Sequence, residues 1–163
     1  MSFINEFKRL RKEMLEKYDR HVSLQDLFSD RWETAKFYNF GEGTSCYNNV
    51  LILGNVSVGS NTWIGPNVIL DGSGGLDIGD FCTISSGVQI YSHDTVKKTT
   101  SMGKLATDKE KTIIGKGVYI GPNSIIQKGV KIGNRSVIGA MSFVNKDVPE
   151  GSKFYGIPAK EAF

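Results

Sequence analysis

The sequence predicts an all-β fold in which short parallel strands coil into a triangular prism, with a short N-terminal α-helical cap and one long extruded loop. Three observations support this fold: an aliphatic side chain recurs at every sixth residue, a compact residue follows it, and one polar segment interrupts the repeat. Helices repeat their apolar face near 3.6 residues and strands near 2, so a period of six fits neither element alone. Three six-residue units, each a strand and a corner, would close one coil of about 18 residues.

The repeat is clearest between residues 113 and 144. Its aliphatic positions are Ile114, Ile120, Ile126, Ile132, Ile138 and Val144, and the compact residues four places later are Val118, Ser124, Val130, Ser136, Ser142 and Val148. In a stack of coils each aliphatic side chain lies above its equivalent, and full burial of each stabilises the fold by roughly 1.5–3 kcal/mol. One coil cannot bury its own apolar face, so the pattern predicts a stack of about five coils.

The same phase continues towards the N-terminus. The residues that keep the six-residue spacing there are Ile52, Val58, Ile64 and Leu70, with Cys46 and Phe40 as an extension. Two extra residues between Leu70 and Ile78 predict a bulged corner, after which Ile84 and Ile90 resume the repeat. No repeat is visible at about 94–112, which predicts a loop; long loops in compact domains are usually functional or disordered.

Residues 1–38 are expected to form the helical cap, residues 39–149 the β-helix, and residues 150–163 a C-terminal tail on the cofactor side. Apolar residues at helical spacing, with Ser2 as a candidate cap, predict a first helix that carries Phe3, Phe7, Leu10, Met14 and Tyr18 on one face. The "SLQD" segment at Ser23 resembles a capping box and predicts a second, short helix. Three aromatic residues are expected to cover the first coil: Trp32, Phe37 and Phe40.

Composition excludes several classes of function. The chain has 163 residues, of which 39% are hydrophobic and 23% charged, as expected for one soluble domain. A net charge of +3 is too small to indicate a nucleic-acid partner. No membrane span or signal-peptide core is visible, so a cytoplasmic protein is expected. Cys46 and Cys82 occupy slots of the repeat and are expected to be reduced core residues.

The repeat resembles the hexapeptide signature of left-handed parallel β-helix acyltransferases, in the maltose, galactoside and polysaccharide O-acetyltransferase group. The similarity is densest in "VYIGPNSIIQKGVKIGNRSVIGAMSFVNKDVPEG" and "YGIPAK". The left hand comes from this resemblance alone, because crossovers between parallel strands are usually right-handed. The resemblance implies direct acetyl transfer from acetyl-CoA to a hydroxyl of a sugar or surface-polysaccharide precursor. It also implies a homotrimer with sites between subunits, and no metal.

The resemblance places the catalytic base at His93, in "IYSHDT", where the last regular unit before the loop closes. Imidazole suits this role because it can accept a proton near neutral pH. On the acceptor side, Asn67 aligns with an asparagine of the family, and Asp71 lies beside it at the bulged corner. Asp94 is a candidate for contact with the substrate or for orienting the imidazole, although adjacent side chains often point apart.

On the donor side, the resemblance implies six residues that bind the cofactor. Tyr119 is expected to pack beside pantetheine, and Gly121 and Ala140 to offer backbone groups to its amides. The residues expected to meet the nucleotide and its phosphates are Asn145, Lys146 and Lys160. Lys160 stands where the family often has Arg, which keeps the charge but loses the bidentate geometry.

Several alternatives remain at this stage. The acceptor group is either a sugar hydroxyl or the amine of a nucleotide-linked amino sugar, because the loop and the helices match the family least. A structural β-solenoid is the non-enzyme alternative, but it would favour regular outward rows of threonine and no histidine at a loop. A zinc carbonic anhydrase would need three histidine ligands, and the chain has two histidines. Serine acetyltransferase usually has a longer helical domain and further histidines.

Overall fold

The computed structural model describes residues 2–162, so the ends of the predicted cap and tail, residues 1 and 163, lie outside it. Three helices precede the strands: α1 (Phe3–Tyr18), α2 (Leu24–Phe28) and α3 (Arg31–Phe37). α1 has no buried residue and lies against α2, where the rings of Phe3 and Phe28 stack at 6.1 Å. The N-terminal segment is therefore helical, as predicted, but it contains three helices instead of two.

The helix starts differ from the sequence expectation. Neither Ser2 nor Ser23 makes a capping hydrogen bond with its side chain, and the Ser23 hydroxyl instead donates to the Asp26 carboxylate at 2.7 Å. The capping box lies at α3, where Asp30 accepts from the backbone of Glu33 and the Glu33 side chain accepts from the backbone of Asp30. This reciprocal pair satisfies backbone donors at the start of α3.

Sixteen short strands and one more helix follow within residues 2–162. They are β1 (Ser45–Cys46), β2 (Leu51–Val58), β3 (Trp63–Ile64), β4 (Ile69–Ile78), β5 (Thr83–Ile84), β6 (Gln89–Ile90), β7 (His93–Asp94), α4 (Val96–Thr100), β8 (Asp108–Lys109), β9 (Thr112–Ile114), β10 (Tyr119–Ile120), β11 (Ile125–Ile126), β12 (Lys131–Ile132), β13 (Val137–Ile138), β14 (Phe143–Val144), β15 (Lys153–Gly156) and β16 (Ala159–Glu161).

The strands stack in parallel on three faces of a prism. The first face contains β1, β3, β5, β10, β13 and β15 in that order, with β16 added antiparallel at its edge. The second face contains the first halves of β2 and β4, then β6, β11 and β14. The third contains the second halves of β2 and β4, then β9, β12 and a bridge at Val148. Six parallel strands on the first face give about six coils, slightly more than predicted, in a parallel solenoid consistent with a left-handed β-helix.

The predicted aliphatic columns form the core. On the first face the aligned residues are Ile64, Ile84, Ile120 and Ile138, all fully buried. Serines occupy some of the compact positions that follow the aliphatic residues, and their buried hydroxyls are hydrogen-bonded. The Ser124 hydroxyl donates to the Gly139 carbonyl and that of Ser136 to the Pro149 carbonyl, both at 2.8 Å. A hydrogen bond to the next coil makes a buried hydroxyl tolerable in this core.

Two predictions about the first coil are wrong. Phe40 is buried in the core, but Trp32 is 51% exposed and Phe37 is 80% exposed, so neither covers the prism end as expected. Ala35 and Thr34 of α3 are the buried residues instead. Small residues allow α3 to pack closely on β1, which directs the larger aromatic rings outwards.

Cys46 and Cys82 are buried and unpaired, as predicted. Within residues 2–162, no helix combines the length and the hydrophobicity that a bilayer crossing requires.

Replacement of a column residue should be costly. We expect Ile120→Ala to lower the free energy of unfolding by about 2–5 kcal/mol, because a fully buried side chain leaves a cavity between two coils. Ile157→Ala is the control, since Ile157 is largely exposed and its loss should cost no more than about 0.5 kcal/mol. Urea unfolding of both variants would measure the difference; equal losses would contradict the stacked column.

Candidate active site

The candidate site lies at the corner between the second and third faces. β4 passes this corner through a bulge at residues 71–75, where its pairing with β2 shifts register. In the next coil the chain leaves the corner after β6, forms the antiparallel pair β7–β8 at the base of the loop, and returns at β9. The bulge and the loop therefore lie on successive coils at the same corner, which brings residues from both segments together.

His93 and Asp71 form the central contact of this corner. The imidazole Nδ1 of His93 lies 2.6 Å from Oδ2 of Asp71. The same oxygen accepts from the backbone N–H groups of Ser92 and His93 at 2.9 and 3.1 Å, and Oδ1 accepts from that of Ser73 at 3.0 Å. The Asp71 side chain is fully buried, so the protein supplies all of the hydrogen bonds that compensate its charge.

These contacts keep Asp71 ionised. Burial alone would raise the pKa of its carboxyl, but hydrogen bonds from Ser73, Ser92 and His93 outweigh burial and lower the pKa to about 2. An ionised carboxylate only accepts hydrogen bonds, so the proton in the contact with His93 belongs to Nδ1. In the neutral imidazole the lone pair then lies on Nε2, which is the nitrogen available to a substrate.

The His93 side chain is 28% exposed and opens onto a groove beside the loop. The groove is lined by residues of the loop base, the second face and the neighbouring coils: Tyr91, Asp94, Val96, Ile125, Gln127, Lys128 and Phe143. A base with one nitrogen held from behind and the other side accessible can remove a proton from a bound ligand.

Lys128 joins the loop base to the next coil. Its side chain is only 13% exposed, and its ammonium lies 3.0 Å from Oδ2 of Asp108 and 3.5 Å from Oδ2 of Asp94. Lys97 of α4 also contacts Asp108, at 2.9 Å. Lys128 was not predicted from the sequence to be a site residue. Its position directly after β11 places it at the corner from which the loop projects.

The predicted acceptor-side residues do not converge. Asp71, predicted on the acceptor side, lies beneath the imidazole with its side chain fully buried. Asp94 makes no hydrogen bond to the His93 ring; it accepts from the backbone of Val96 at 2.9 Å and contacts Lys128. Asn67 lies at another corner, between the first and second faces, with a positive φ of 59° and a 2.9 Å hydrogen bond from Asn49. Of the three, only Asp94 lines the groove.

The predicted cofactor residues fall into two groups. Gly121 and Ala140 stack on successive coils between the first and second faces, where a Cβ on Gly121 would lie 2.5 Å from the Ala140 nitrogen. Tyr119 lies half-exposed on the adjoining first face, and Lys160 pairs with Tyr155 at the end of that face. The other group, Asn145 and Lys146, follows β14 on the corner that carries His93 in an earlier coil.

The two cysteine thiols are poorly suited to covalent catalysis. Burial raises the pKa of the Cys46 thiol to about 12 and also raises that of Cys82, so neither thiol forms a thiolate readily near neutral pH. Across the described residues, no three His, Cys, Asp or Glu side chains are grouped to hold a metal ion.

The Asp71 contacts predict how stability changes with pH. Because the pKa of Asp71 is lower in the folded chain than the ordinary 3.8, its ionised form stabilises the fold above about pH 4, and this contribution falls as the pH drops towards 2. The difference in unfolding free energy between the wild-type protein and Asp71→Asn should therefore be constant near neutral pH and shrink below pH 4. Chemical unfolding across pH 2–7 would test this, and a difference that grows on acidification would contradict it.

Two segments of the chain match family models of hexapeptide-repeat transferases. Residues 111–146 match the family model "Bacterial transferase hexapeptide (six repeats)", and residues 55–92 match "Hexapeptide repeat of succinyl-transferase". The two matched segments lie on either side of the loop. No significant match was found among curated proteins.

Solved structures with a similar fold include several acyltransferases. A D94A mutant of AntD, an N-acyltransferase from Bacillus cereus in complex with dTDP and coenzyme A, is 26% identical, with a TM-score of 0.69 over 76% of this chain and 71% of that chain. AntD with dTDP and 3-hydroxybutyryl-CoA is 27% identical, with a TM-score of 0.68 over 76% and 70% of the two chains. A hexapeptide-repeat acetyltransferase from Vibrio cholerae O1 biovar eltor, complexed with acetyl-CoA, has a TM-score of 0.74 at 24% identity over 98% and 85%.

Residues 55–92 and 111–146 thus carry hexapeptide repeats similar to those of bacterial transferases, and the coiled fold that they build is similar to that of solved hexapeptide-repeat acyltransferases.

Proposed function

We propose that the protein transfers an acetyl group from acetyl-CoA to a hydroxyl of a sugar or surface-polysaccharide precursor, with His93 as general base. The observation that carries this proposal is the 2.6 Å contact between His93 Nδ1 and the buried, ionised Asp71 at an open groove. Asp71 is a positioning residue: it fixes the ring orientation and the tautomer, and it stabilises the imidazolium formed during transfer.

The reaction needs one base and one acid, and the same imidazole serves as both. Nε2 of His93 takes the proton from the acceptor hydroxyl while its oxygen attacks the thioester carbonyl carbon. When the tetrahedral intermediate collapses, the C–S bond breaks and the CoA sulfur receives the proton from Nε2. The acetyl group passes directly to the acceptor, so no covalent acetyl-enzyme is required, consistent with the two buried thiols.

The histidine–aspartate pair favours a hydroxyl acceptor on chemical grounds. A sugar hydroxyl is a weak nucleophile until a base removes its proton, whereas an amine can attack through its own lone pair once it is neutral. Burial of a charged carboxylate behind an imidazole lowers the stability of the fold unless it is compensated by hydrogen bonds. This cost is best explained by an acceptor that needs a strong, correctly oriented base.

A second candidate is N-acylation of a nucleotide-linked amino sugar. The resemblance to AntD, an N-acyltransferase whose structures contain dTDP and CoA, favours this reaction. The groove chemistry would be the same, with the amine in place of the hydroxyl. The two candidates differ in how strongly turnover should depend on His93.

For the donor, we assign CoA to the two groups of predicted residues together. Gly121, Ala140 and Lys160 lie towards one corner of the prism, whereas Lys146 lies on the corner that carries His93. The second face separates these corners within one protomer. In a homotrimer with cyclic symmetry, one corner of each prism would face the other corner of its neighbour, and CoA would lie between them. Lys146 and Lys160 would then pair with its phosphates.

Loss of the base should remove turnover without removing donor binding. We expect His93→Ala to lower kcat by about 10²–10⁴-fold, the usual contribution of a general base, with acetyl-CoA affinity close to that of the wild-type protein. Steady-state CoA release and calorimetric titration with acetyl-CoA would measure the two effects. Asp71→Asn should lower kcat more than it changes KM, because its amide can donate to Nδ1 and favour the wrong tautomer. Near-normal turnover in His93→Ala would rule out the proposed base.

Acceptor chemistry can be tested with matched pairs of sugars that differ only in a hydroxyl or an amine at one carbon. We expect CoA release with hydroxyl acceptors, and we expect it to fall by about 10²–10⁴-fold in His93→Ala because the general base is lost. Mass spectrometry of the products would locate the acetyl group. Activity with the amino sugars alone, with much of it retained in His93→Ala, would favour N-acylation instead.

A further inference from the structure

A second pocket lies far along the chain from His93, where the helical cap meets the first coil. We call it the cap pocket; its walls come from the end of α1, from α2 and α3, and from the segment after β1. Its volume is about 130 Å³, smaller than a site for a whole drug-sized ligand, so it suits one unit of a larger ligand. The residues that carry the argument are Tyr18, Asp26, Asp30, Arg31, Trp32 and Tyr47.

Aromatic rings form the apolar part of the cap pocket. Trp32 and Tyr18 are both about half exposed, although large aromatic side chains usually bury most of their surface. The guanidinium of Arg31 lies 4.4 Å from the Trp32 ring centroid and 5.7 Å from that of Tyr47, which fixes the two rings around the cation. Ordered, accessible rings of this kind offer flat surfaces to the less polar face of a pyranose.

Hydrogen-bonding groups with spare capacity stand beside these rings. Arg31 has five N–H donors, but within residues 2–162 its side chain makes one hydrogen bond, to the Tyr47 hydroxyl at the long distance of 3.5 Å. Its buried Nε has no partner among those residues. Oδ1 of Asp30 accepts the two backbone N–H groups of the α3 cap, which leaves Oδ2 as an acceptor. An adjacent carboxylate and guanidinium complement vicinal hydroxyls, which both accept and donate.

The charge of the cap pocket selects against phosphates. Arg20 and Arg31 are balanced by Asp26 and Asp30, so the lining has no net positive charge to compensate a diphosphate. Asp26 accepts hydrogen bonds from the backbone and the side chain of Asn48. A neutral ligand with several hydroxyls therefore fits better than a nucleotide.

The cap pocket continues towards the active-site face. A shallow polar depression shares Arg20 and Tyr47 with it and extends to Asn49 and Pro66. Asn49 donates to Asn67, and β4 begins at Ile69, two residues later, and reaches the bulge at Asp71. Asp71 in turn holds His93. β4 thus crosses from the depression to the corner that carries the base, with the half-buried Ile69 on its way.

We infer that the cap pocket binds a neutral sugar unit of an extended glycan acceptor, whose reacting end lies at His93. This inference rests on the proposed function and narrows its substrate class from small sugars to oligosaccharides. Trp32 stacks on the sugar ring, Arg31 and Asp30 bind its hydroxyls, and Asn67 contacts the chain between the two sites. The cap residues contribute affinity for the acceptor and take no part in the transfer itself.

Binding can be measured without any transfer reaction. An array of uncharged hexose, N-acetylhexosamine and deoxyhexose oligosaccharides serves as the probe, and the hits are then titrated in solution against the full chain. We expect at least one oligosaccharide to bind, with an affinity about tenfold weaker in Trp32→Ala, because loss of a central aromatic contact usually costs that much. Arg31→Lys should also weaken binding, since lysine lacks the planar fork.

Phe37→Ala and Arg11→Gln are the matched controls, because both residues are exposed on the cap helices and neither lines the pocket. Both should bind like the wild-type protein, and circular dichroism would verify that each variant keeps its helices. Because the assay measures binding and includes no transfer step, its outcome is independent of whether His93 is the base. The inference is overturned if no oligosaccharide on the array binds, if Trp32→Ala binds as well as Phe37→Ala, or if dTDP or UDP occupies the pocket instead.

Discussion

The register between stacked coils is the constraint on which the rest of the molecule depends. Ile64, Ile84, Ile120 and Ile138 align one above another, and each column tolerates no shift because a one-residue slip would turn the aliphatic side chains outwards. Extra residues therefore cannot enter a strand and must project from a corner. The bulge after Leu70 and the loop after Ile90 both do so at the same corner, and this brings Asp71 to His93 although 22 residues separate them.

The hydrophobic columns could be predicted from the sequence because the period of six is strict wherever a side chain faces the axis. The partnership of Asp71 with His93 could not be counted in the same way, since both residues lie in segments where the period fails. Asp94 was a candidate for orienting the imidazole because it is adjacent to His93 in the sequence. The alternation of side chains along β7 directs it instead to Lys128 and to the loop. Aligning Leu70 with Ile90, as the structure does, would have placed the bulge directly beside the histidine.

The helical cap was the least predictable part for a related reason. Its aromatic residues have no repeat to fix their direction, and the small side chains of Thr34 and Ala35 decided which face of α3 packs on the prism. Trp32 and Phe37 consequently face outwards. Trp32 lines the cap pocket, whereas Phe37 does not. An exposed aromatic ring therefore indicates a binding site here only where hydrogen-bonding groups lie beside it.

The central claim is that a buried, ionised Asp71 holds the proton of His93 on Nδ1 and leaves Nε2 ready to accept another. Long-range ¹H–¹⁵N correlation spectra of the imidazole, recorded at a pH where His93 is neutral, measure this tautomer directly. The account predicts a protonated Nδ1 and an unprotonated Nε2 in the wild-type protein, with the preference lost in Asp71→Asn. A wild-type spectrum in which Nε2 carries the proton would contradict it.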